Sequence, residues 1–455
     1  MIFADKGAWH GYGLDEAYAL EAMSFVDGRR FSLDFTREVG GGALHADRIE
    51  LEVAGRGPAS LRFLDSRTAL IQVPEGTAVQ ARGESPFRLI PDGPGRYLHV
   101  FPGGPRETAE LEGLPRTLRW NWRSPLGGVR SAGAIPSPFA YNGLWAWDSW
   151  KHAAVLPTDL ARSQIQAMFD HQRADGMVPD TVCRDASENN WDNSKPPLAA
   201  WACSRHEGLL EEFREPLLRY HRWWEAARRP AGQKLYAYGG AGLQQAKWES
   251  GWDNATRYDD AELVGGVQSV LSVDLNAWIC LEKRLLGIPD PELEHLVDEV
   301  FYFEDSSGGA YFDVTWPDLK RVDTLTAATW IPLWCGVASP PRAEAVLRRM
   351  LSEEDFWTPL PFPSVARSDA RFDPDGFWRG PVWMDYAAWG VEVLRRYGRR
   401  SEADAAAEKL LAAPADWECY NPLTGEPAQG VRPAVPQFSW TAAARIELER
   451  GLAGE

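Results

Sequence analysis

The period of the hydrophobic pattern changes once along this chain, near residue 145, and that change limits the architectures open to it. From about residue 29 to 102 apolar and polar residues alternate in short runs: Phe31-Ser32-Leu33-Asp34-Phe35, Ile49-Glu50-Leu51-Glu52-Val53, Ser60-Leu61-Arg62-Phe63, Leu70-Ile71-Gln72-Val73 and Arg96-Tyr97-Leu98-His99-Val100. A period of two turns one face of each run toward a core, and the Gly, Pro and Asp between runs supply turns. Residues 1–105 therefore read as a small antiparallel β-sandwich. Residues 106–140, rich in Pro and Gly and poor in periodicity, read as a linker with room for one hidden helix. Beyond Trp145 the spacing becomes helical, and the chain as a whole is expected to be mainly α. Helices are expected near 147–156, 158–172, 197–208, 210–228, 268–286, 291–303, 324–337, 341–352, 381–397, 401–413 and 437–450. They come in pairs joined by Pro or Gly turns, and the long connections between pairs hold most of the Trp, Asp and Asn residues. Helical hairpins around an axis, an (α/α)6 barrel over residues 141–455, suit this spacing, with a pocket among the loops at one end. No repeat of fixed period supports the hairpin count, so periodicity leaves open whether the barrel closes.

Composition excludes several classes. At 455 residues the chain exceeds one compact core, consistent with two domains. The formal net charge of −17 and the absence of a basic stripe argue against nucleic acid. No apolar run approaches the roughly 20 residues of a membrane-spanning helix. Five cysteines, an odd number without a CxxC pair, suggest reduced thiols and a cytoplasmic home, and the start lacks a secretory pattern. GxSxG, GxxxxGK[ST] and HExxH are all missing. Asp185, Glu188, Asp192 and Asn193 lack the spacing of a calcium loop and read as a polar loop. Of the 22 tryptophans, most belong to packing, because a bulky core ring is the default for that side chain.

What remains points to carbohydrate. Trp248-Glu249-Ser250-Gly251-Trp252-Asp253-Asn254 sets carboxylates between aromatic rings in a turn-forming segment, and Glu418 in Trp417-Glu418-Cys419-Tyr420-Asn421-Pro422 has a similar setting. Rings around a carboxyl disfavour its charged form, which suits Asp253 to a proton donor, although an Asx turn would use the same residues. Glu249 is a rival acid, or an ion-pair partner for Arg257. Asp148, in Trp145-Ala146-Trp147-Asp148-Ser149-Trp150, reads as a helix cap or as a partner for a sugar hydroxyl. Phe377-Trp378-Arg379-Gly380-Pro381-Val382-Trp383 reads as a helix start with Pro in its first turn, where Arg379 could hold a carboxylate or a sugar oxygen.

At these residues the chain resembles glycoside hydrolase family 63 and its relatives, among them α-glucosidases and the mannosylglycerate and glucosylglycerate hydrolases, with a more distant likeness to inverting trehalases. The matching pieces span about 141–450. They are Trp145 to Ser149, Gln172 to Pro179 with Asp175 and Gly176, Pro196-Pro197, Glu249 to Asn254, Ser272 to Asn276, Trp378 to Trp383, and Glu418 to Pro422 with Tyr420. The resemblance implies the (α/α)6 barrel and an exo-acting inverting α-glycosidase, an α-glucosidase in the first instance, acting on a small carbohydrate. It makes Asp253 the general acid and Glu418 the general base, gives Asp148 and Arg379 to the glycone subsite, and implies that no metal or organic cofactor is needed. Trp252 would shape the leaving-group side, and Lys195 or Arg257 could meet an anionic aglycone such as glycerate. Lys195 stands where relatives often carry Gln before the two prolines. Alternatives are an inverting trehalase, or a sugar-binding or epimerase-like barrel without hydrolysis.

Overall fold

The computed structural model describes residues 2–4, 10–14, 20–24, 30–35, 39–44, 48–53, 57–63, 68–75, 79–83, 90–100, 114–123, 133–137, 140–141, 143–183 and 186–454. The chain divides into two compact units, Met1–Leu144 with Cys183–Glu188, and Trp145–Val182 with Asn189–Glu455.

The first unit holds two antiparallel sheets. One orders the strands Ile2–Ala4, His10–Leu14, Leu20–Ser24, Arg30–Phe35 and Val79–Gly83 side by side. The other runs Ile90–Pro91, Arg96–Val100, Thr68–Gln72, Gly57–Phe63, Arg48–Val53 and Val39–Leu44. Each of the five alternating runs falls on one of these strands. Leu70, Ile71 and Val73 are buried. Much of 106–140 lies outside the described residues, but Arg116–Asn121 is a short helix there.

The second unit is built on a ring of helical elements. Ala146–Val155, Ala199–Ser204, Val273–Leu285, Ile331–Trp334, Met384–Arg396 and Ser439–Ala453 each pack on the next, and the last packs on the first. The ring thus closes. Thr158–Phe169, Pro291–Val300, Pro340–Met350 and Arg400–Ala412 pack against its outside. The sequence explains the two layers. All ten residues of 146–155 are buried, as a helix enclosed on every side requires, whereas 400–412 buries only Ala403, Ala406, Ala407 and Leu410. That is a single stripe at helical spacing.

The ring helices run parallel, because their C-terminal ends line one cavity of about 850 Å³. Carbonyls left over at helix C-termini need donors, and arginines from neighbouring helices supply them. Arg284 donates to the carbonyls of Cys335 and Gly336, Arg396 to that of Trp334, and Arg450 to that of Val155.

Observed helices fall near the expected ones, with three corrections. The range 210–228 is two helices, Leu209–Glu212 and Arg214–Ala227. An unexpected helix, Leu243–Ser250, carries Trp248 and Glu249. Pro381 does not open a helix: its carbonyl accepts from the Ser364 N–H, and the helix starts at Met384. Among the described residues no helix is long and apolar enough to cross a membrane.

Candidate active site

The N-terminal ends of the ring helices, opposite the arginine-capped cavity, carry buried acids in their first turns: Asp148, Asp274 and Asp385. A helix start favours a negative charge, which accounts for the position; burial opposes it.

Asp148 is the third residue of its helix, so it is not the cap; Trp145 is. Burial pushes its carboxyl up to about 7, against the pull of Lys151 and Lys195. Three residues on, Lys151 lies over the Trp147 ring at 3.2 Å and the Trp440 ring at 3.7 Å, and pairs with Asp385 at 2.5 Å. The helix is anchored at its start by the Ala146 N–H donating to the Asp180 carbonyl at 2.9 Å. Asp180 is buried as well, and its carboxyl, pushed up to about 6 by burial, faces Lys195 at 3.4 Å.

Glu249 is an anchor. Its carboxylate accepts from both arms of Arg228, at 2.6 and 2.8 Å, and from the backbone N–H groups of Gly239 and Ser194. Its partner is Arg228 and not Arg257. With every lone pair engaged and no exposure, Glu249 is poorly suited to donate a proton. Helix 243–250 ends at Gly251, whose φ of +75° only glycine adopts without strain. A Cβ there would stand 2.3 Å from the Trp147 ring. The chain thereby turns against Trp147 and presents Asp253. That side chain keeps a quarter of its surface, and its Oδ2 lies 3.3 Å from an Arg432 terminal nitrogen. Burial raises the Asp253 carboxyl, while Lys195 and Arg432 oppose the rise.

Asn254 ties this turn to the next loop, donating to the Gly376 carbonyl and accepting from the Trp378 N–H, both at 3.0 Å. Arg379 donates to the Asn254 carbonyl and forks onto Asp259 at 2.7 and 2.9 Å.

Glu418 is buried at 1% exposure. Its N–H donates to the Val435 carbonyl, and the Val435 N–H lies 3.3 Å from its Oε2. Arg432 lies three residues before Val435 in the same loop. The loop that carries Glu418 therefore touches Asp253 through Arg432, so the two acids are presented by segments in contact although 165 residues separate them in the chain.

Several residues singled out in the sequence prove to be framework. Trp378 stacks on Trp383 at 3.8 Å and on Trp252 at 4.6 Å, and Arg257 covers Trp252 at 4.4 Å. These rings are buried and leave no face for a sugar. Trp147 is equally buried, while Trp145 is half-buried. Arg257 is enclosed between Asp274 at 2.7 Å and Asp313 at 3.4 Å, so it is out of reach of an aglycone. Gln172 donates to the carbonyls of Gly176 and Pro216 and accepts from Arg219. Asp175 pairs with Arg173, and a Cβ on Gly176 would collide with the Arg219 carbonyl, so this stretch forms a turn docked on helix 214–227. The Tyr420 hydroxyl accepts from the Trp417 N–H and donates to the Pro414 carbonyl, bracing the Glu418 loop.

Sequence reasoning missed Lys151, Asp180, Asp385 and Arg432. Lys151 alone left a signal, standing three residues after Asp148 on one helix. Asp185 lies outside the described residues; among those described, no group of three or more His, Cys, Asp or Glu gathers as a metal site.

A closed ring of helices thus gathers several carboxyls at one end, an arrangement able to move protons. The chain belongs to the mannosylglycerate hydrolase MGH1-like glycoside hydrolase family, whose domain model matches residues 141–270 and 292–441, and it is a glycoside hydrolase. It is 26% identical to the mannosylglycerate hydrolase MGH1 of Selaginella moellendorffii, over 76% of this chain and 88% of that protein. It is 24% identical to a glucosylglycerate hydrolase of Mycolicibacterium hassiacum, over 68% of this chain and 92% of the relative. Its fold matches the family 63 mannosylglycerate hydrolase of Thermus thermophilus, solved with Tris and D-glycerate, with a TM-score of 0.60 and 22% identity over 73% of this chain and 98% of that one.

Proposed function

We propose that this glycoside hydrolase is an exo-acting, inverting α-glycosidase that cleaves a small glycoside of glycerate, with Asp253 as general acid and Glu418 as general base. One observation carries the reading: Arg432, on the Glu418 loop, rests against the Asp253 carboxyl with nearly half its side chain exposed. An acid beside the leaving group needs a raised carboxyl, and burial acts in that direction on Asp253. An anionic leaving group needs a cation close to that acid, and a guanidinium offers a forked donor to a carboxylate. This narrows the α-glucosidase expectation to the substrates named for the relatives. Inversion further requires a water between Glu418 and the anomeric carbon, hence carboxyls about 6.5–9.5 Å apart. Asp148 and Arg379 are assigned to the glycone side.

The wider reading has residues 141–455 as a complete (α/α)6 barrel preceded by a β-sandwich and a linker. The five cysteines, all free, favour a reducing cytoplasm. The test is hydrolysis of mannosylglycerate, glucosylglycerate, trehalose and a panel of α-linked glucose disaccharides, with the first-formed anomer read by NMR. Preference for the glycerate glycosides with release of the β-anomer is expected. Release of the α-anomer would mean retention and end the assignment of Glu418 as base, and preference for trehalose would end the glycerate reading.

A further inference from the structure

The mechanism leaves Lys195, a buried cation, unused. Lys195 is nearly enclosed, with its ammonium donating to the Trp248 carbonyl, 3.4 Å from Asp180 and 5.9 Å from the Trp147 ring centroid. Trp248 lies in the last turn of helix 243–250, and its carbonyl also accepts from the Gly251 N–H at 2.9 Å. The residue before Lys195 is tied to the same helix through the Ser194 N–H and Glu249. Two adjacent residues of one loop thus grip the end of the helix from which the Asp253 turn departs. Asp180, the partner of Lys195, holds the other flank, because its carbonyl receives the first N–H of the helix bearing Trp147 and Asp148.

We propose that Lys195, seated on Asp180 and the Trp248 carbonyl, is a positioning residue for Asp253: it fixes the turn that carries the acid and, with Arg432, adds positive charge to its surroundings. The inference rests on the reading of Asp253 as general acid, but its physical content is separate. The charged groups around Asp253 are Lys195 and Arg432, which favour its ionised form, and Asp180, on which Asp253 acts as a like charge. Lys195 is itself faced by Asp180, Asp148 and Asp253, with Lys151 the neighbouring cation. A nearby opposite charge favours the ionised form of a carboxyl, so removal of the ammonium lets Asp253 keep its proton to higher pH. A glutamine at this place could bond the same carbonyl but would bring no charge, so the field at the acid depends on the ammonium.

The experiment titrates the full chain labelled with 13Cγ-aspartate, the Asp253 signal being identified by its loss in Asp253→Asn. Lys195→Met is expected to move the Asp253 midpoint upward by about one pH unit. Lys195→Arg, which keeps the charge, should leave it near its original value. Where a substrate is turned over, the alkaline limb of kcat/KM should follow the same order. An unmoved midpoint in Lys195→Met, with the variant folded by circular dichroism, overturns the inference whatever the activity. Should Lys195→Met misfold, the Lys195→Gln midpoint decides by the same criterion. If instead the midpoints shift as expected but Asp253→Asn hydrolyses normally, the assignment of the acid fails and the electrostatic role of Lys195 stands.

Discussion

The two ends of the helical ring are made from the same six elements and differ in how they treat charge. At the C-terminal end Arg284, Arg396 and Arg450 meet carbonyls at the ends of 331–334 and 146–155, so the negative ends of those two dipoles are matched by donors. At the N-terminal end the charges are acids shut away from water. Asp148 is pushed up to about 7 and Asp180 to about 6. One end therefore satisfies its groups and the other holds several against their preference. Carboxyls kept in that state can give up or take a proton near neutrality.

That contrast breaks most sharply at the two proposed catalytic acids. Asp253→Asn and Glu418→Gln should each lower kcat by about 10²–10⁴-fold, with midpoints of urea unfolding near that of the parent, because a proton transfer is lost and little packing changes. A rate within a few-fold of the parent in either variant would remove that residue from the mechanism. Arg257 tests the floor beneath them. It is buried between Asp274 and Asp313 under Trp252, so Arg257→Met leaves both carboxylates unmatched and should cost about 3–5 kcal/mol of stability by urea unfolding. A cost below about 1 kcal/mol would show that the pairs can be relaxed without loss.

A smaller effect is expected from pH. The Asp148 carboxyl is raised in the fold from an ordinary 3.8 to about 7, so the folded state holds its proton where the unfolded chain releases it. The folded state then binds more protons than the unfolded one between about pH 4 and 7, and stability falls as pH rises through that window. Asp148→Asn should remove this slope, gaining on the parent by up to a few kcal/mol as pH rises from about 4 to 7. Melting temperatures at several pH values would check it, and a parallel pair of curves would reject it. The smallest effect belongs to the capped end. Arg396→Ala should cost about 1 kcal/mol and leave kcat unchanged, since the donor lost serves only the Trp334 carbonyl and Glu392. A fall in kcat with stability intact would mean the two ends communicate.

Much of the site was legible locally. Gly251 before Trp252 and Asp253 marked a turn bearing an acid, and the structure supplies the reason in the closeness of Trp147. Glu418 ahead of Asn421-Pro422 was legible in the same way, since the Asn421 side chain accepts from the Leu423 and Thr424 N–H groups and closes the turn. Trp252, Trp378 and Trp383 were harder. A ring offered to a sugar and a ring stacked in a core have the same neighbours in sequence, and only the 3.8 and 4.6 Å stacking distances separate them. Glu249 was assigned the wrong base because Arg257 is eight residues away in the chain and Arg228 is twenty-one, yet Arg228 is the one that arrives.

By itself the sequence determined where the strands lie, most of the helices, many of the turns, and which acids stand among aromatic residues in the chain, because periodicity, glycine conformation and proline act over a few residues. Tertiary structure decided the closing of the ring, the pairing of Arg257 below the floor, the meeting of Arg432 with Asp253, and the seating of Lys195 on Asp180. Those depend on charges and rings brought together from distant parts of the chain. The free energy of a charge is set by what surrounds it in space, and no local pattern records that.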